Sequence, residues 1–343
     1  MDNFTAQVVL QPQTDAPALA AAETRAGAPD AAPAPEPARP PEPAPKPGDP
    51  MIELAYACLR RELASLLEHE PRPGDLPTPE NIHQLRIATR RLRVALRSFR
   101  HVLPAKNTAS LRKELRWFAR ALGEARDLDV YAENFRSYLQ TLPPEQLRDL
   151  GGYELHLRRA RAEARNDLGA LFADERYAAL LGSFAAFLDG APTPAAVRRW
   201  RSFKISDGFK KYLRKSARRV QKLGRKVGRT AAAKKLHALR IRTKRLRYEL
   251  EFFAAVYPSL ESTARAAKAL QDVLGAHQDA CTASSRLRRY ARSLPAREHG
   301  VPPPAALQQL LELQRRKAQE ARLAFGFEWR RFMKTIARTK LAA

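Results

Sequence analysis

The segment HQLRIATRRLR at residues 83–93 returns as HALRIRTKRLR at 237–247. Across the windows 83–99 and 237–253, ten of seventeen positions are identical at an offset of 154. The next stretch repeats more weakly. LRWFARALGEARDLDV at 115–130 lies over AKALQDVLGAHQDACT at 267–282, so Leu122, Gly123 and Asp127 match Leu274, Gly275 and Asp279. A repeat of that length exceeds any solenoid unit. It predicts two related helical bundles packed about a pseudo-twofold axis.

On a helical wheel of about 100° per residue, Leu85, Thr89, Leu92, Leu96 and Phe99 share one side of the first segment. His83, Arg86, Arg90, Arg93 and Arg97 share nearly the opposite side. In the second copy Leu239, Thr243, Leu246, Leu250 and Phe253 oppose His237, Arg240, Lys244 and Arg247, and the basic row ends in Glu251. Each helix is therefore expected to pack through leucine and to offer a cationic ridge. A merely solvated ridge would interleave acids at i+4, because such pairs stabilise a helix and like charges do not. The first ridge holds no acid, and the pattern recurs with a histidine in phase.

The whole chain carries a formal charge of +26, unevenly distributed. Residues 1–50 hold three basic and seven acidic side chains, leaving 59 Lys/Arg against 29 Asp/Glu in the remainder. Residues 15–50 are an Ala/Pro run without periodicity or aromatics. Residues 1–49 are thus read as a disordered tail with too little apolar bulk to offset chain entropy. The cationic remainder implies an anionic partner.

From residue 50 the period is helical and no strand alternation is found. Helices are predicted near 50–69, 80–103, 108–141, 145–173 and 175–189, then near 206–228, 233–256, 260–293 and 304–340. The halves divide at the break APTP, residues 191–194, into about 50–190 and 198–343. Starts at TPE (78–80) and SDG (206–208) look capped. Residues 198–247 hold 21 Lys/Arg and one acid, Asp207. Within 206–228, Phe209, Leu213, Val220 and Val227 mark an apolar stripe, and Lys211, Lys215, Arg218, Lys222 and Arg225 a basic one. Arg116 and Lys268 occupy matching positions in the helix after each ridge.

Guanidinium groups one turn apart sit about 5–6 Å from each other and can bond successive phosphate oxygens of an extended polyanion. Facing ridges would make a basic groove or pore. No apolar run is long enough to span a bilayer, and the N-terminus makes a poor signal peptide. Cys58 and Cys281 are expected as reduced, packed thiols, in keeping with a cytoplasmic protein.

The motif H-x-x-R-I-x-T-[RK]-R-L-R, found twice and followed by LGEARDLDV and LGAHQDA, resembles that of the CHAD family, the conserved histidine α-helical domain. The resemblance covers about 50–343. It implies an all-α fold of two four-helix bundles related by an internal pseudo-twofold, with a basic central surface or pore. It also implies binding of inorganic polyphosphate without catalysis, and similarity to proteins of bacterial polyphosphate granules. The matching motif positions are His83, Arg86, Arg90, Arg91 and Arg93, then His237, Arg240, Lys244, Arg245 and Arg247. Arg91 and Arg245 fall off the ridge by the wheel and rank lower. The E-x-E-x-K strand of a CYTH triphosphatase, common in relatives, is not found. His277 lies one position before the spot where similar sequences carry His or Asn, which leaves its role open.

No P-loop, H-E-x-x-H or C-x-x-C motif is present, so no cofactor or metal is expected. Asp127, Asp129, Asp272 and Asp279 could suggest a Mg²⁺ cluster, but are read as partners for arginines on adjacent helices. The alternative function is nucleic-acid binding through the same charge. Against it, no helix-turn-helix, zinc-finger spacing or aromatic platform is seen.

Overall fold

Leucine at helical spacing yields helices and, among the described residues, no strand. The computed structural model describes residues 45–228, 232–294, 304–339 and 341. The first run comprises α1 (Met51–Glu68), α2 (Pro79–Ser98), α3 (Ala105–Leu139), α4 (Pro144–Phe172) and α5 (Glu175–Leu188). A short α6 (Pro194–Trp200) connects it to α7 (Ile205–Gly208), a π-helical turn (Phe209–Leu213) and α8 (Arg214–Gly224). Then come α9 (Ala233–Ala254), a 3₁₀ turn (Pro258–Leu260), α10 (Glu261–Ser293) and α11 (Ala305–Arg338).

The wheel positions hold. Leu85, Thr89, Leu92 and Leu96 have no exposed surface, nor do Leu239, Thr243, Leu246 and Leu250. Each such leucine contributes about 1.5–3 kcal/mol by leaving water. At the start of α2, the Thr78 hydroxyl accepts from Asn81 N at 3.1 Å, and Asn81 Oδ1 accepts from Thr78 N at 3.0 Å. That reciprocal box satisfies two end donors.

Local expectations needed four corrections. Ser206 does not cap its helix; Asp207 reaches back to Lys204 N at 3.1 Å, so the helix begins earlier. The continuous helix expected over 206–228 is interrupted by the π turn, and α6 was not foreseen. Residues 47–49, assigned to the tail, join the body. Ile205 N donates to Asp49 O, Ser206 N to Pro47 O, and Met51 N to Phe203 O. The rest of the expected tail, residues 1–44, lies outside the described residues.

Consecutive helices pack as α1 on α2, α2 on α3, and α3 on α4, then α8 on α9, α9 on α10, and α10 on α11. The runs meet where α2 touches α9 and α4 touches α11. The main core spans both runs and includes Leu115, Phe118 and Leu122 of α3 and Leu270 and Leu274 of α10. A second cluster joins the far halves of the same long helices, with Tyr131 and Phe135 against Tyr153, Leu287 and Leu307. Both cysteines are free. Cys58 is buried, and that burial pushes its thiol up to about 12.

Candidate functional site

Between the two clusters lies a cavity of about 1160 Å³, and both repeated helices turn their ridges into it. His83, Arg86 and Arg90 enter from α2; His237, Arg240, Lys244 and Arg247 enter from α9. Lys268 of α10 lines it too. Residues 154 positions apart in sequence thus share one space.

The charges there are poorly compensated. Arg86 Nη2 lies 3.1 Å from Asp127 Oδ1 on α3. Burial and then the neighbouring Arg90 charge lower the Arg86 pKa all the same. Arg240 is lowered by burial despite the opposing Asp279 carboxylate, and its buried Nε has no hydrogen-bond partner. Lys244 is affected most. Burial, reinforced by the Arg90, Arg240 and Arg86 charges, brings its ammonium down to about 6. Asp279, facing the same space, is raised by burial against the pull of Arg240 and Lys244.

The two histidines differ. His83 is held below its ordinary pKa by burial and then by Arg126. His237 Nδ1 lies 2.8 Å from Gln278 Oε1, an acceptor, so that nitrogen donates.

Not every predicted residue reaches the cavity. Arg93 and Arg116 lie outside it but near each other, for the Arg116 charge helps to lower the Arg93 pKa after burial. Arg97 likewise lies outside, lowered by burial and then by Arg245 and Arg242. Lys211 and Lys215 stand near His101, which stacks on Tyr212 at 4.8 Å. Arg218 and Lys222 are exposed on α8, away from the cavity. The basic stripe of α8 therefore forms an outer surface. Its phase about the helix axis, set by Val220 and Leu213 in the core, turns it outward.

Arg91 and Arg245 sit in a carboxylate-rich seam. Arg91 approaches Glu62 at 3.0 Å and Glu251 at 3.4 Å, while Arg245 pairs with Glu249 at 2.7 Å. Glu251 also approaches Arg247 at 3.1 Å, so the acid that ends the second ridge partly neutralises it. His277 is buried and accepts from Arg322 Nε at 3.1 Å, and it does not line the cavity.

The aspartates pair separately. Asp127 meets Arg86 and Asp129 meets Arg161, each across adjacent helices. Asp272 instead pairs with Lys268 on its own helix at 2.7 Å, against expectation. Lining residues not foreseen include Arg126, Arg286, Lys317, Gln271 and Gln314. Arg126 follows the repeated Leu-Gly pair and could have been read from it. Arg286, Gln314 and Lys317 carry no local sequence signal, because only the packing of α11 against the far half of α10 brings them in.

The described residues thus form an all-helical domain around a cation-lined cavity. The family model described as CHAD domain matches residues 57–288, well over half of the chain, and the protein belongs to that family. The family is associated in general with polyphosphate binding. The crystal structure of the CHAD domain from the plant Ricinus communis is similar to this chain at 25% identity and a TM-score of 0.66, covering 83% of this chain and 93% of that one. PptA from Streptomyces chartreusis shares the fold at 20% identity and a TM-score of 0.62, covering 82% and 100%. Two Mycobacterium tuberculosis proteins, Uncharacterized protein MT2285 and Uncharacterized protein Rv2226, are each 29% identical over 213 residues. The match takes in 61% of this chain but only 40% of the length of those relatives. No helix among the described residues is long and apolar enough to cross a membrane.

Proposed function

We propose that the central cavity binds linear inorganic polyphosphate without turning it over. The observation that carries this reading is the gathering of Arg86, Arg90, Arg240 and Lys244 from two helices around one cavity, with Asp127 and Asp279 opposing them. Such an arrangement is unfavourable until an anion enters. A phosphate chain brings one negative charge per unit and is thin enough to lie between two ridges. Guanidinium groups recognise its oxygens through paired, charge-assisted bonds.

The test is retention of the chain on immobilised long polyphosphate at physiological salt. Simultaneous replacement of Arg86, Arg90, Arg240 and Lys244 by alanine should abolish retention and leave helicity intact. Retention that persists in that variant refutes the reading. Incubation with tripolyphosphate and Mg²⁺ should release no phosphate. Residence at polyphosphate granules is the cellular setting this function fits.

The exposed cations of α8, which lie outside the cavity, favour a second reading, nucleic-acid binding. Competition of duplex DNA and single-stranded RNA against long polyphosphate separates the two. Displacement by polyphosphate alone supports the cavity.

A further inference from the structure

A second cavity, of about 750 Å³, shares no lining residue with the first. It lies where the π turn, the 3₁₀ turn and the start of α10 meet the end of α11. Three guanidinium groups border it: Arg265 from α10, and Arg331 and Arg338 from α11. Two of them make long ion pairs along their own helices. Arg265 is 3.5 Å from Glu261 and Arg331 is 4.0 Å from Glu328, and neither glutamate lines the cavity.

The opposite wall is aromatic. The Phe209 and Tyr257 rings stand 4.9 Å apart, tilted by 43°, and make a corner with Leu260. Phe209 opens the π turn, a widened helical geometry often found at functional sites. A flat heterocycle can pack against such a corner.

The hydroxyl groups add a constraint. Thr335 Oγ1 donates to Arg331 O at 3.0 Å, Thr339 Oγ1 to Ile336 O at 2.8 Å, and Ser262 Oγ to Ser259 O at 3.3 Å. Their protons are committed to the backbone, so they present only lone pairs to the cavity. Bare phosphate, which at neutral pH is almost all acceptor, has little to offer them. A ribose hydroxyl or a base amino group does.

From this geometry we infer that the second cavity is a nucleoside-phosphate site. The base lies against Phe209 and Tyr257, the phosphates lie on Arg265, Arg331 and Arg338, and sugar or base donors meet the threonine oxygens. This goes beyond polyphosphate binding in the central cavity and does not depend on it.

The experiment is calorimetric titration of ADP into the full chain carrying Arg90→Ala and Lys244→Ala, which disables the central cavity as a competing anion site. One saturable site is expected, with adenosine and inorganic diphosphate each binding at least tenfold more weakly. Adding Arg331→Gln and Arg338→Gln, both at exposed positions, should weaken ADP at least tenfold with unchanged circular dichroism. In the otherwise native chain, the same pair should leave retention on long polyphosphate unchanged. Absence of saturable ADP binding overturns the inference, as does insensitivity to the two glutamines or diphosphate binding as tightly as ADP. The ADP results do not bear on the central cavity.

Discussion

The Ser98 hydroxyl on α2 donates a 2.6 Å hydrogen bond to the buried Glu249 carboxylate on α9. It ties the two copies of the repeat together near their C-terminal ends, beside the Phe99–Phe252 ring contact at 6.0 Å. The ridges open into the cavity nearer the N-terminal ends of the same helices. One seam therefore sets how the ridges face each other.

Ser98→Ala should lower stability by about 2 kcal/mol, the usual worth of a hydrogen bond to a buried charge. Glu249 keeps Arg245 at 2.7 Å, so the chain should still fold. The urea midpoint reports the loss. Polyphosphate affinity should fall as well, because the relative setting of α2 and α9 relaxes.

Proton uptake should accompany polyphosphate binding. The Lys244 ammonium titrates at about 6 in the free chain, against an ordinary 10.5. It is thus largely neutral at pH 8, and an arriving polyanion raises its pKa. Calorimetry at pH 8 in buffers of different ionisation enthalpy should show close to one proton taken up per site, and Lys244→Gln should lose that uptake. The linkage to folding has a definite sign. An unfolded chain binds this proton between about 6 and 10.5 while the folded chain does not, so this lysine's cost to stability is greatest below pH 6 and fades as pH rises. Lys244→Met should stabilise the ligand-free chain, most at low pH.

Asp127→Asn should tighten polyphosphate binding. Asp127 holds Arg86 at 3.1 Å and competes with phosphate for it, yet its side chain is 52% exposed. The gain should be modest, roughly two- to fivefold, the range of a part-exposed ion pair. The slope of log affinity against log salt should steepen, because one more cation then engages the polymer.

Gly224→Ala should destabilise the chain by about 1–3 kcal/mol, the cost of overpacking a filled interface. A methyl group there would fall 2.1 Å from the Trp329 ring, forcing α8 away from α11. Gly182 of α5 has nothing within 4 Å, so Gly182→Ala should stabilise by roughly 0.5–1 kcal/mol through helix propensity. Thermal melts of the pair give opposite shifts.

Much of this arrangement was legible in the sequence, for identifiable reasons. Leu85, Leu92, Leu239 and Leu246 reveal their buried faces through spacing alone, and the opposite phase then puts Arg86 and Arg90 on one ridge and Arg240 and Lys244 on another. Periodicity fixes direction about one helix axis and nothing more. It could not show that the α8 stripe of Lys211, Lys215 and Lys222 turns away from the cavity, since that depends on which neighbour α8 packs against. Nor could it place Arg286 and Lys317, which the far cluster around Tyr153 and Leu307 carries inward. The π turn escaped because one widened turn leaves hydrophobic spacing almost unchanged.

Gly123 and Gly275 are the same letter in the same repeated pair, yet a methyl group at 123 would sit 3.0 Å from Arg86 Nη1, while at 275 it would meet open space. The first glycine leaves a berth for a guanidinium; the second only fills its place in the helix. Alanine at 275 should pass without effect, whereas alanine at 123 should push the Arg86 guanidinium from its place. The same letter in the two copies therefore answers to two different surroundings.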